Sequence, residues 1–375
     1  MNPAQPIYMD YNATAPVRPE IVQAMTEALH CHGNASSIHH FGRQARARIE
    51  TARYAVARLV GARPEEVIFT SGGTEANNLA LRGVAAEHVY ISAIEHDSVI
   101  RAAPAKSTLL PVLRTGIADL EALDALLGKS AQPALVSLML ANNETGIVQP
   151  VAQAAQIAHA HGALLHCDAV QAVGKIPVDC SALGADFLSL SAHKFGGPQG
   201  VGALIVRNGL PLVSQIYGGG QERGYRAGTE NVAALAGFGM AAQLAYNTAC
   251  TENNQIAALR DMLENAVQSL TPQAVFFGRG QQRLPNTSCF ALPGIEAATL
   301  VMNLDLAGVA VSAGAACSSG KVARPAVLTS MGVAAALAES AIRISLGWAS
   351  RQQDVETFLS VWKMIAGRLS MRQAS

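Results

Sequence analysis

Charge is scarce in this sequence. Only 14% of its 375 residues are Asp, Glu, Lys or Arg, against about 25% in an ordinary soluble chain. The 27 basic and 27 acidic residues cancel, which removes the electrostatic drive behind nucleic-acid or anionic-membrane binding. Aromatic residues make up 5%, so small aliphatic side chains must do most of the packing. No apolar run reaches the roughly 18 residues of a membrane span; the best candidate, 232–246, is interrupted by Gly and Gln. The N-terminal MNPAQPIYMDYNATAP has no basic region leading into an apolar stretch, so no secretory signal is expected. The cysteines (Cys31, Cys167, Cys180, Cys250, Cys289 and Cys317) form no CxxC pair and no disulfide-like spacing. A reduced, cytoplasmic protein is the expectation. What remains is a chain that is 50% hydrophobic, which excludes disorder, and long enough for two domains.

Helix and strand patterns alternate over most of the length. Helices are expected over 19–30 and 41–60, the latter stopping at Gly61. Short apolar strands are expected at 67–70, 89–91, 134–140, 163–167, 187–190 and 201–206. Such strands between helices imply βα units and a mostly parallel sheet covered on both faces. After about residue 230 the pattern changes to two long helices, 232–249 and 252–270, then loop, a strand at 340–347 and a final helix over 353–369. This reads as a second, smaller α+β domain.

Ligands of an open parallel sheet sit at the carboxyl ends of its strands, so the residues that follow each strand carry the information. After Phe69-Thr70 comes SGGTEANN, whose Gly, Ser and Thr at a helix start suit a phosphate and equally an ordinary cap. Later strand ends deliver Glu95-His96, then Asn142-Asn143-Glu144, then Asp168 with Gln171, then Ser191-Ala192-His193-Lys194. Each is unremarked alone, because a His or Asp at a strand end is commonly structural. Five strand ends converging on one sheet edge are much harder to dismiss. A phosphate cradle, a carboxylate, a flat ring partner and a lysine together match pyridoxal 5'-phosphate, whose aldehyde needs a lysine and whose ring nitrogen needs an acid. A nicotinamide cofactor fits worse, since no GxGxxG occurs. The pair His30 and His32 around Cys31 lacks a second cluster, so no metal site is expected.

The segments YMDYNATAP, GNASSIHHFG, FTSGGTEANNLA, EHDSV, ANNETG, HCDAVQAVGK, SAHKFGGPQGVGAL, GGGQERGYRAGTEN, AGAACSSG and AIRISLG run in order from Tyr8 to Gly347. In this combination the chain resembles a cysteine desulfurase of the NifS/IscS type, in the class V aminotransferase family. The resemblance implies an α/β fold, fold type I of the pyridoxal phosphate enzymes: a large domain (15–250) with a mostly parallel seven-stranded sheet, and a smaller α+β domain (1–14 and 251–375). It implies Lys194 as the Schiff-base and proton-transfer lysine, Asp168 on the pyridine nitrogen, Gln171 on the ring hydroxyl and His96 stacked on the ring. Gly73, Thr74, Ser191 and His193 would bind the phosphate. Thr229 would reach the phosphate in the partner subunit, making a homodimer. Asn143 and Arg343 would orient L-cysteine, with Arg343 taking its carboxylate.

Cys317 would accept the sulfur as a persulfide and pass it to an iron–sulfur scaffold or another thiol carrier. Physical chemistry agrees in part. An Arg guanidinium matches a planar carboxylate bidentately, though a buried interdomain ion pair explains Arg343 equally well. Cys317 lies among Ala, Gly and Ser, a stretch too small for core, and a reactive thiol needs access. An aminotransferase, a selenocysteine lyase and a non-catalytic relative of the same fold are the competing readings. An aminotransferase has no use for the cysteine, and a non-catalytic protein would lack Lys194 or Asp168.

Overall fold

The computed structural model describes residues 6–130, 133–314 and 325–373. In chain order the strands are β1 (Ile7–Tyr8), β2 (Val67–Thr70), β3 (His88–Ser92), β4 (Ser107–Leu110), β5 (Ala134–Ser137), β6 (Leu164–Asp168), β7 (Phe187–Ser191), β8 (Gly202–Val206), β9 (Val275–Phe277), β10 (Thr287–Ala291), β11 (Val309–Ala310), β12 (Ser312–Ala313) and β13 (Ala341–Ser345). The helices are α1 (Pro19–Leu29), α2 (His40–Leu59), α3 (Gly73–Gly83), α4 (Asp97–Ile100), α5 (Leu120–Leu127), α6 (Val151–Ala160), α7 (Cys180–Leu183), α8 (Val232–Leu270), α9 (Ala297–Leu306), α10 (Ala326–Ser330), α11 (Ala335–Ala338) and α12 (Gln352–Gln373).

Seven strands form the main sheet in the order β2-β8-β7-β6-β5-β3-β4. All its pairings are parallel except those of β8, which runs antiparallel to both β2 and β7. The expected seven-stranded, mostly parallel sheet is therefore what forms. Strands β2, β5, β7 and β8 are buried along their whole length, which is why β2, β5 and β8 read as mainly apolar runs; β7, Phe-Leu-Ser-Leu-Ser, buries two serines as well. β4 was not expected: its Ser-Thr-Leu-Leu is half exposed at the sheet edge, where the apolar signal of a buried strand is lost. The second sheet, β12-β13-β10-β9, is antiparallel throughout.

Each sheet has its own apolar packing. Around the main sheet, packing relies on Ala, Val and Leu, as the low aromatic content requires. The stripe Ala45, Ile49, Ala52 and Val56 on α2 has helical spacing and meets α8, where a Cβ on Gly239 would sit 2.6 Å from the Ala52 Cα. Small residues at this crossing are what let the two helices approach. The core of the antiparallel sheet is different. Trp362 packs edge-on to Phe290, with ring centroids 5.4 Å apart, and stacks with Phe358; its indole N–H donates to the Thr271 hydroxyl.

The expected pair of helices over 232–270 is one helix, α8. Ala249-Cys250-Thr251 holds neither Gly nor Pro, so nothing stops the hydrogen-bond ladder. Its first half buries Phe238 and Ala242 against the main sheet, and its second half buries Leu263 and Val267 in the other core. No helix among the described residues is long and apolar enough to cross a membrane.

Between β8 and α8 the chain makes an outlying loop. Glu222 and Arg223 adopt φ of 44° and 57°, which costs of order 1–3 kcal/mol for each non-Gly residue. Charge-assisted bonds offset this: the buried Glu222 carboxylate accepts from Arg53 Nη1 and Nη2 and from the Phe69 N–H. Arg226 of the same loop pairs with Glu75 on α3.

Candidate active site

The carboxyl ends of β3, β5, β6 and β7 open onto one cavity of about 250 Å³. A larger cavity, about 770 Å³, between Arg58, Tyr246 and Asn253 carries none of the strand-end groups, so volume alone does not mark the site.

One wall is the start of α3. Gly72, at the N-cap, has no side chain to give, so the first-turn N–H groups of Gly73 and Thr74 are left for a ligand. Gly73 is required by space: a Cβ there would lie 2.8 Å from Val170 Cγ2. Ser191 and His193, from the end of β7, line the same side. His193 Nδ1 lies 3.1 Å from the Thr14 hydroxyl. Burial, with Lys194 and Lys175 nearby, pushes its pKa down to about 4, so the ring is neutral at pH 7 and acts as a hydrogen-bonding group.

The floor is Asp168, the last residue of β6. Its Oδ1 accepts the Val170 N–H at 2.9 Å and its Oδ2 accepts from Asn77 Nδ2 at 2.8 Å. Asn77 Nδ2 also reaches the Ser98 hydroxyl, while its Oδ1 is buried without a partner among the described residues. Behind this carboxylate lies Glu95, fully enclosed; burial first, and then the Asp168 charge, holds its pKa well above the usual carboxyl range.

His96 covers the mouth. It caps α4, accepting the Ser98 N–H on Nδ1. With Nδ1 used as an acceptor, a neutral ring carries its proton on Nε2.

Lys194 lines the same cavity from a single 3₁₀ turn, Ala192–Phe195, after β7. Its Nζ donates to the backbone carbonyls of Asn12 at 2.7 Å and Ala13 at 2.9 Å. Burial foremost, with Arg343 adding to it, lowers its pKa to about 8 against the opposing pull of Asp168 and Asp10. An amine so tuned is available as a nucleophile and base near neutral pH.

Nine of the expected residues therefore line one cavity: Gly73, Thr74, His96, Asn143, Asp168, Gln171, Ser191, His193 and Lys194. Arg343, from β13, is adjacent but not in its lining. It is buried, donating Nη1 to the Asn143 carbonyl at 3.0 Å and Nη2 to Asp10 Oδ1 at 2.6 Å. Arg343 is thus in an ion pair, but with Asp10, which falls in the same expected domain (1–14 and 251–375) and not across a domain boundary; a substrate carboxylate at Arg343 would have to compete with Asp10. Thr229 does not line this cavity; it is exposed on the outlying loop. Cys317 lies outside the described residues. The strand that leads toward it, β12, pairs Ser312 with Arg343. Burial pushes up the thiols of Cys167, Cys180 and Cys289. Cys31 is exposed, with Arg48 Nη2 3.0 Å from its sulfur.

Several residues were not anticipated as parts of this site. Asn77 lies one helical turn past Gly73 and Thr74, on the same face of α3, a signal that the SGGTEANN segment does contain. Asp10 and Asn12, in YMDYNATAP, and Lys175, in HCDAVQAVGK, gave no signal. They act through contacts with residues 130 to 330 positions away, or from within a turn, where no periodicity exists to read.

The model of the family described as Aminotransferase class-V matches residues 7–358. A protein named Cysteine desulfurase IscS from Dictyoglomus turgidum is 41% identical, covering 97% of this chain and 95% of that one. A solved NifS-like protein from Rickettsia africae superposes with a TM-score of 0.89 at 37% identity, over 97% of this chain and all of the other. A solved structure described as SspA in complex with cysteine gives 0.77 at 28% identity, over 91% of this chain and 98% of that one. With a lysine and a carboxylate lining one donor-rich cavity at the strand ends, and these matches spanning nearly its whole length, the chain belongs to the class V aminotransferase family, among the cysteine desulfurases of the NifS/IscS type.

Proposed function

We propose that this enzyme is a pyridoxal phosphate-dependent cysteine desulfurase that converts L-cysteine to L-alanine and holds the sulfur on Cys317. The observation that carries the reading is that Lys194 and Asp168 line one cavity together with the Gly73–Thr74 helix start. The donor set fits the cofactor: N–H groups and hydroxyls for a phosphate, a carboxylate for a ring nitrogen, and an amine with a lowered pKa for an aldehyde. When bound, pyridoxal phosphate supplies a carbonyl for amine exchange and a ring that accepts the electrons released at the substrate Cα.

The chain's own groups do the rest. Lys194, displaced from the cofactor, takes the Cα proton and returns it. Asp168, held by Asn77 and the Val170 N–H, keeps the ring nitrogen protonated. Arg343 orients the substrate carboxylate, with Asp10 and the Asn143 carbonyl fixing the guanidinium. The Cys317 thiolate attacks the substrate sulfur, so an S–S bond forms as the Cβ–S bond breaks. The Cβ keeps the bonding pair and gains a proton, giving alanine, and no outside oxidant is needed. Transfer of the persulfide sulfur to a scaffold protein for iron–sulfur assembly, a homodimer in which Thr229 serves the partner subunit's site, and a cytoplasmic setting belong to the same reading. So does the division into a large domain (15–250) and a small one (1–14 and 251–375).

The test is to incubate the reconstituted enzyme with L-cysteine and a thiol reductant. One alanine is expected per sulfide released. Pyruvate and ammonia in place of alanine would point to a lyase, and consumption of a keto acid to an aminotransferase.

A pH dependence follows from Lys194. The neutral amine is the form that attacks an aldehyde, and it dominates above a pKa of about 8. Reloading of the cofactor-free enzyme is expected to quicken from pH 7 to 9 and then level off. An ordinary lysine, titrating near 10.4, would still be accelerating there. Stopped-flow absorbance of pyridoxal phosphate reloading measures this, and a rate still climbing steeply past pH 9.5 would refute the tuning.

A further inference from the structure

Lys175 is a lysine without an assigned task. It is 7% exposed, faces no carboxylate within bonding distance among the described residues, and spends its amino group on two amide oxygens: Gln171 Oε1 at 2.6 Å and Asn12 Oδ1 at 2.9 Å. Burying a lysine in this way is expensive unless its hydrogens are used.

The consequence lies in hydrogen-bond parity. The Lys175 amino group donates to both amide oxygens, which turns both amide nitrogens away from it; at Asn12 it shares this task with Asn286 Nδ2, which donates to the same Oδ1 at 3.0 Å. For Asn12, the turned-out Nδ2 donates to the Asn143 carbonyl at 3.1 Å and to Thr287 Oγ1 at 2.9 Å. The same Asn143 carbonyl receives Arg343 Nη1. For Gln171, one hydrogen on Nε2 goes to the Asn12 carbonyl at 2.9 Å, the carbonyl that also holds Lys194 Nζ. The other hydrogen remains for the cavity that Gln171 lines.

We propose that Lys175 is a positioning residue of the cofactor site, whose buried amino group fixes the Gln171 and Asn12 amides so that Gln171 presents an N–H, and not a carbonyl oxygen, to the ring hydroxyl of pyridoxal phosphate. The proposal rests on the cofactor reading above and specifies how the site sets the electronic state of the bound ring. An N–H donor at that oxygen favours its ionised form, and a carbonyl there would oppose it. The same amino group, through Asn12 and the Asn143 carbonyl, steadies the guanidinium of Arg343.

The test is the visible absorption band of the reconstituted enzyme. Lys175→Met keeps the length and removes the donor. Its band is expected to move from the wild-type position, and its affinity for pyridoxal phosphate to fall by roughly 3- to 10-fold, the worth of about one hydrogen bond. Gln171→Leu is expected to move the band by itself, and Lys175→Met added to Gln171→Leu to move it no further. A purely structural lysine would change thermal stability without this dependence on Gln171. If Lys175→Met does not fold, the same comparisons are made with Lys175→Gln, whose side chain is too short to reach both amide oxygens; the expectations are unchanged. A wild-type band unmoved by the Lys175 variant, or a shift that persists in full on the Gln171→Leu background, overturns the role of Lys175 alone. A wild-type protein that develops no visible band with pyridoxal phosphate overturns the cofactor reading, and this proposal with it.

Discussion

Replacing Lys194 with alanine is expected to lower alanine formation from L-cysteine by about 10³-fold or more, since one change removes both the attachment point and the proton carrier. The cofactor should still bind, because the Gly73–Thr74 helix start, Ser191, His193 and Asp168 are untouched and none depends on the lysine for its position. Among the described residues Lys194 hydrogen-bonds to the Asn12 and Ala13 carbonyls, both of which a water can satisfy at the cavity wall. The distinguishing measurement is borohydride reduction followed by peptide mapping. In the wild type the pyridoxyl group should become fixed to the peptide that carries Lys194; in Lys194→Ala no peptide should be labelled. Full labelling of the variant would mean another lysine is the attachment point, and Lys175, the nearest buried alternative, would be the first to examine.

Cys317→Ser is the second large effect. A serine hydroxyl stays protonated at neutral pH and does not attack sulfur, whereas a thiolate does. Alanine release is expected to fall to background, a loss of at least about 10²-fold, and no persulfide should be found on the protein. Changes in the cofactor spectrum on adding L-cysteine should survive, because Arg343, Asn143 and Lys194, the residues proposed to receive the substrate, are unchanged. This separates loss of sulfur transfer from loss of binding. Cys31 is the natural control, being the described cysteine that is exposed and that has a guanidinium beside its sulfur. Cys31→Ser is expected to leave turnover and the persulfide unchanged. Equal alanine release by wild type and Cys317→Ser would remove Cys317 from the reaction and favour a lyase.

Much of this protein is written locally. Strands such as Val67–Thr70 and Gly202–Val206 are buried on both faces, so their apolar runs could be read without knowing what covers them. The polar residues after them were informative for the same reason. A chain that leaves a buried parallel strand emerges at one edge of the sheet, so SGGT, EH, NN, D and SAHK had to meet there. Gly73, Thr74, His96, Asp168 and Lys194 were accessible to sequence reasoning on that ground alone, and the pyridoxal phosphate reading followed from their chemistry.

Other features needed the folded chain. Whether 232–270 is one helix or two turned on the absence of a breaker, a weaker signal than the presence of one. The edge strand Ser107–Leu110 lacks the burial that makes its neighbours conspicuous. Arg343 had two readings, carboxylate binder or ion pair, and only the placement of Asp10 beside it, from the far end of the chain, established the pair. Asn12 and Lys175 show the limit most clearly. Asn12 is joined to Asn143, Lys175, Asn286, Thr287 and Ser345 by hydrogen bonds that span most of the sequence. A backbone pattern determines which residues arrive at a sheet edge, because strand direction and burial are local properties. It does not determine which amide oxygen meets which amine, because that is decided by side chains that only folding brings within 3 Å of one another.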